Sequence, residues 1–511
     1  MKAIDLFNSI TDLPEKTVEA AERHRFIKSR RWVRYAAIAA ALALVIGLGG
    51  MLARQSKAPI HGSNPHEGIS SGGAGGENDY SYMAYFGPVM PLTAISGAEN
   101  VTAERRVDYD FSPYKEQLSQ AIVTDFYTLR NITDRDVTLS LLYPAALNIG
   151  SVAMGQFPRI AVNGKDQNTV LYAGPCTGNL ENCVDEKTNP FVEKAHLDAD
   201  EASWEAYVAH LSDGTYQAAA FAPAPNLNVP VTVYKVDDYV LGPDYDGECP
   251  SLQISFAMDY EKTAVMTYGA QGGYIDRENG IRGYARGNLD WDENAFPREP
   301  MYIVLYGDDI ESYTLQGYQN MGCEPGQETD ITATVTRYET TMDVFLHQIV
   351  DEYLADRQND YLRDNDMLSR DFLYRLADEL LIQYGFLSTD DHDDDTLGGS
   401  LEEVFQAYDK TRVLYFAFDV TIPAGESVDI TATMPKEGNE NFDGDHPSTN
   451  GYDLATHLGS TLSFTKQQAS VSHTETVVML ENNFGFDQKT GVTTVTLDPA
   501  EEHYWMNVAR R

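Results

Sequence analysis

Beyond Tyr80, apolar and polar residues alternate with a period of two over short runs, the spacing of strands whose two faces meet different surroundings. Ile122–Leu129, Val137–Tyr143, Val229–Tyr234, Leu252–Met258, Thr263–Tyr268, Tyr302–Tyr306 and Ile331–Tyr338 are such runs. They are rich in β-branched and aromatic residues and are bounded by turn residues, so each predicts a strand. The period lengthens at Asp200–Leu211 and again over residues 341–386, which predicts helices. In the second block Val344, Phe345, Ile349, Tyr353 and Leu354, then Leu368, Phe372, Leu376, Leu380 and Leu381, recur at helical spacing. A third, shorter helix is expected at Leu401–Tyr408. Strands resume at Val413–Val420, turn through Pro423-Ala424-Gly425, return at Val428–Met434 and continue between Leu462 and Val508.

Gly326–Thr334 (GQETDITAT) and Gly425–Thr433 (GESVDITAT) repeat one another, and Asp136–Ser140 (DVTLS) shares their core. In each case a polar turn feeds β-branched residues that alternate between a core face and water.

A different pattern precedes all of this. Tyr35–Ala53 carries no charge over 19 residues, which at about 1.5 Å per residue nearly crosses a hydrocarbon layer of about 30 Å. Arg23, Arg25, Lys28, Arg30, Arg31 and Arg34 crowd its N-terminal side, against Arg54 and Lys57 beyond it. The positive-inside bias therefore predicts one membrane-spanning signal anchor with the N-terminus in the cytoplasm and the bulk of the chain outside. The expected organisation is a cytoplasmic tail (1–34), a membrane helix (35–53), a Gly/Ser-rich tether (54–79), a β-rich region (80–338), a helical insertion (339–411) and a C-terminal β unit (412–511).

Charge narrows the partners. The 511 residues hold 37 Lys+Arg against 78 Asp+Glu, a formal net charge of −41, which excludes a phosphate-tracking nucleic-acid binder. The four cysteines, Cys176, Cys183, Cys249 and Cys323, all follow the membrane segment. They permit three pairings; Cys176 with Cys183 around a short polar loop, and Cys249 with Cys323, is the one expected, with free thiols as the alternative.

The search for chemistry returns little. Gly68–Gly72 matches GxSxG but lies in the tether, not between a strand and a helix as a nucleophile elbow must. Asp290, Asp292 and Asn294 open like a calcium loop, yet Ala295 and Met301 stand where glycine and the closing glutamate are required. Asp244, Asp246 and Glu248 form an alternating, oxygen-rich set suited to calcium, with Asp443 and Asp445 as a looser example. Asp390–Asp395 concentrates five carboxylates beside His392, as expected of a solvated loop. Neither catalysis nor a cofactor is expected.

Two resemblances add to this reading. FYTLRNITDRDVTLSLLYP and FDVTIPAGESVDITATMP resemble paired strands of immunoglobulin-like β-sandwiches on bacterial surface proteins. The first 50 residues, through TDLPEKTVEAAE, KSRRWVR and the alanine-rich span, are similar to the juxtamembrane start of Firmicutes single-pass proteins labelled anti-sigma-factor-like. The expectation is a mainly β chain of immunoglobulin-like sandwich units with a helical insertion, anchored by one membrane helix. Its function is expected to be binding, sensing or structural support toward an envelope protein or polymer. The alternatives are a transmembrane regulator whose tail binds a sigma factor, and an extracytoplasmic glycan-active enzyme.

Overall fold

The computed structural model describes residues 85–116, 118–175, 203–243, 249–289, 299–387, 399–441 and 449–511. The expected tail (1–34), membrane helix (35–53) and tether (54–79) lie outside the described residues. Among the described residues no helix is long and apolar enough to cross a membrane.

The chain is mainly β. A seven-stranded sheet runs in the order Thr494–Thr496, Phe464–Ser472, Val101–Asp110, Gln120–Asn131, Ser427–Glu437, Arg159–Val162 and Lys165–Asp166. Its neighbours are antiparallel except for Val101–Asp110 beside Phe464–Ser472, which are parallel. Alternation decides what each face meets: Val101, Ala103, Val107 and Tyr109 point into the core while Glu104 and Arg106 point out. Two four-stranded sheets supply further residues to the same core. One orders Thr93–Ser96, Val137–Leu147, Arg412–Ile422 and Val170–Ala173; the other orders Asn439–Asn441, Thr449–Ala455, His503–Arg510 and Val477–Asn482. Tyr109 meets Tyr452 and Phe484 edge-on, tying the seven-stranded sheet to the second of these.

A second β region lies between these segments in sequence. The four strands Thr263–Tyr268, Met301–Gly307, Pro230–Leu241 and Ile331–Thr341 share a core with a five-stranded sheet. Tyr234, Val236, Ile303 and Leu305 from the first sheet close on Leu252, Ile254, Phe256 and Tyr284 from the second. Val231, Val233, Tyr302 and Val304, on the opposite face of the four-stranded sheet, pack on helices.

The boundary drawn from pattern at residue 412 needs correction, because it divides shared sheets. Arg412–Ile422 pairs along its length with Val137–Leu147, and Ser427–Glu437 with Gln120–Asn131. One β framework is therefore built from both ends of residues 93–511, and the second β region and the helices are inserted between its strands. Hydrogen-bond pairing is a long-range property that a one-dimensional pattern does not carry.

Three helices matter below: α1 (Trp204–Leu211), α2 (Met342–Ala355) and α3 (Arg370–Gln383). Each starts at a Ser or Thr whose hydroxyl accepts a backbone N–H three residues on: Ser203 from Ala206, Thr341 from Val344 and Ser369 from Phe372. On α2 the buried face is Met342, Phe345, Leu346, Ile349, Val350 and Leu354; Val344, expected in the apolar stripe, is exposed. The two echoed segments share a local device, since Gly326 and Gly425 adopt φ values of 87° and 68° ahead of Ile331–Thr341 and Ser427–Glu437. The first strand closes a sheet edge while the second lies inside the seven-stranded sheet.

Candidate functional site

The site residues expected from the sequence fall mostly beyond view. Asp244, Asp246, Glu248, Cys176 and Cys183 lie outside the described residues, as do Asp290–Asn294, Asp390–Asp395, Asp443 and Asp445. Cys249 and Cys323 are both free thiols, so the 249–323 bridge is not present. Both nonetheless lie near one end of two inner strands of the five-stranded sheet, where Ser251 is opposite Tyr318. Cys323 Sγ lies 3.4 Å from Ser251 Oγ, and both cysteine backbones are left-handed, with φ of 58° and 49°.

The structure assembles three polar constellations that pattern alone did not reveal. The first is an open groove of about 620 Å³ on the outer face of the seven-stranded sheet. Outward positions of four adjacent strands line it: Glu104 and Arg106, Phe126 and Thr128, Asp429 and Thr431, Lys466 and Gln468. The Arg106 guanidinium lies 4.3 Å from the Phe126 ring centre, close enough for a cation–π contact. Thr128 donates to Asp429 at 2.8 Å, and the Asn163 side chain accepts from the Asp429 backbone at 3.0 Å, which fixes the groove's far wall.

The second constellation lies on α2 and α3. Asp343 and His347 are one helical turn apart on α2, and Asp378 faces them from α3. His347 Nε2 is 3.3 Å from Asp378 Oδ1 and 4.0 Å from Asp343 Oδ1. Tyr374 stacks on the imidazole with centroids 4.2 Å apart. Burial pushes Asp378 up to about 7, partly opposed by His347. Two sequence signals could have pointed here: the Asp-x-x-x-His spacing in MDVFLH, and a carboxylate set among the leucines of RLADELL.

The third surrounds Asp453, a buried carboxylate that accepts a hydrogen bond from Asn439 Nδ2 at 2.9 Å and lies 3.1 Å from His503 Nε2. Trp204, at the start of α1, stacks flat on the His503 ring at 4.1 Å. Nearby Lys436 is also buried and donates from Nζ to the Phe86 carbonyl. Burial lowers its ammonium to about 8, partly offset by Asp453. Lys436, Glu437, Gln120, Asn148 and Ser151 line a small cavity of about 60 Å³.

A mainly β protein with inserted helices is thus the class the architecture defines. No protein-family model, curated protein or solved structure matches the chain.

Proposed function

We propose that the protein is a membrane-anchored extracytoplasmic binding protein that holds a hydroxyl-rich envelope polymer along the outer face of its seven-stranded sheet. The groove carries this reading. It is open, and its walls combine donors (Arg106, Lys466, Thr128) with acceptors (Glu104, Asp429) and amides (Asn163, Gln468) around Phe126. Such a lining satisfies a glycan, whose every hydroxyl both donates and accepts, better than it satisfies a purely anionic or apolar ligand. Rigid strands present these side chains, so little ordering is needed on binding.

Anchoring rests on the uncharged span Tyr35–Ala53 and its basic N-terminal flank. The immunoglobulin-like character of the sandwich belongs to the same proposal, supported by the antiparallel sheets around common cores. The test is co-sedimentation of the full-length protein, solubilised in detergent, with purified envelope polysaccharide and peptidoglycan. Retention that falls about tenfold in Arg106→Ala and Phe126→Ala, a loss of about 1.4 kcal/mol, is expected. Equal retention of both variants and the parent protein would remove the groove from the function.

A further inference from the structure

We propose that Asp343, His347 and Asp378 form a binding site for a divalent transition-metal cation of the zinc class, with a coordination position left open toward solvent. This is independent of the sheet groove and lies on different elements.

Geometry is the first support. Zinc bonds to nitrogen and oxygen of about 2.0–2.2 Å place tetrahedral ligand atoms roughly 3.3–3.5 Å apart. The His347–Asp378 edge, at 3.3 Å, already has that spacing. The Asp343 oxygen, at 4.0 Å from His347 Nε2, belongs to a side chain that is 43% exposed and free to swing inward. The three donor atoms all lie within 4.8 Å of one another, so an inward turn of Asp343 brings all three within reach of one ion.

The second support is the state of Asp378. Its side chain is 4% exposed, among the buried leucines of α3; Oδ2 faces His347 Nε2 at 3.4 Å, while Oδ1 makes no hydrogen bond. A carboxylate taken out of water without full compensation is costly. Arg375, one turn away on the same helix, does not supply the compensation, because it pairs with Glu379 at 2.8 Å. A metal ion on the His347 side supplies it directly. Tyr374, stacked on His347, holds the ring plane that directs Nε2 at the site.

Donor chemistry then selects the ion. One imidazole with two carboxylates suits zinc and its neighbours in the transition series, whereas magnesium and calcium favour all-oxygen sets. Three protein ligands leave the fourth tetrahedral position for water or a ligand group, and the partly exposed Asp343 and His347 place it at the surface.

The test uses the full-length protein in detergent, stripped with a chelator and held in excess magnesium to occupy the acidic surface. Zinc is titrated by calorimetry and cobalt by visible absorption. One tight equivalent of zinc, with cobalt bands of a nitrogen–oxygen site, is expected. His347→Ala and Asp343→Asn should each weaken zinc by more than the roughly 10–100-fold that losing an outer-shell partner costs. Asp378→Asn guards against a folding artefact: the metal-free variant should melt at or above the parent temperature, while the zinc-induced rise in melting temperature disappears. No tight equivalent in the parent protein, or unchanged zinc affinity in His347→Ala, overturns the proposal.

Discussion

Asp125 sits at the centre of the seven-stranded sheet on the core face, and replacing it should be among the most damaging single changes in the protein. Its carboxylate receives Arg105 Nε on Oδ1 at 3.0 Å and Nη2 on Oδ2 at 2.8 Å, a two-pronged ion pair with both side chains wholly buried. Tyr127 donates to Oδ2 at 2.6 Å, and the third guanidinium nitrogen donates to the Ala455 carbonyl at 2.6 Å. Burial opposes the Arg105 charge, but Asp125 and the neighbouring groups outweigh it and raise the guanidinium above its ordinary value. At an effective dielectric near 20, unit charges about 3 Å apart attract by about 5.5 kcal/mol, comparable to the several kcal/mol lost in desolvating the ions. The pair is therefore close to neutral as a unit, yet either ion alone is strongly destabilising.

Asp125→Asn and Arg105→Met should each lower unfolding free energy by about 3–5 kcal/mol. The double replacement Arg105→Met with Asp125→Leu should return to within about 2 kcal/mol of the parent, because it leaves no unpaired ion. Urea unfolding of the full-length protein in detergent, followed by intrinsic fluorescence, gives the three values, provided the denaturant slope is unchanged. Single losses below about 1 kcal/mol, or losses that simply add in the double variant, would refute the reasoning.

Other outcomes follow from the same structure. Lys436 binds fewer protons folded than unfolded between its lowered value of about 8 and the ordinary 10.5. Its destabilising contribution is thus fully present below pH 8 and fades as pH rises toward 10.5, by about 3 kcal/mol in all. Lys436→Met should accordingly gain stability relative to the parent at pH 7 and lose that advantage by pH 10.5, as read from melting temperatures across the series. Gly307 has φ of 116°, and a Cβ there would lie 2.0 Å from the Lys262 carbonyl oxygen. Gly307→Ala should cost more than about 2 kcal/mol by urea unfolding, and a neutral result would mean that the turn relaxes freely. Ser369→Ala removes the hydroxyl that caps α3 and should cost about 1 kcal/mol, whereas Ser369→Asp should hold stability.

Local structure was legible in the chain because it depends on local causes. Each of the seven alternating runs lies on a strand, and α2 and α3 begin at Thr341 and Ser369, where a capping hydroxyl precedes an apolar stripe. The acidic balance, the uncharged span Tyr35–Ala53 and the expectation of a mainly β chain likewise needed only the order of residues. What the sequence left open was who pairs with whom. Alternation shows that Arg412–Ile422 is a strand, but nothing in it says that its partner is Val137–Leu147. The groove shares that origin, since Arg106, Phe126, Asp429 and Lys466 become neighbours only through strand order and register. Asp378 meets His347 only because α3 packs against α2 with that face inward, and Asp125 meets Arg105 on the hidden face of adjacent strands. Period and capping are properties of neighbours along the chain, whereas charge pairing, ligand geometry and burial belong to neighbours in space.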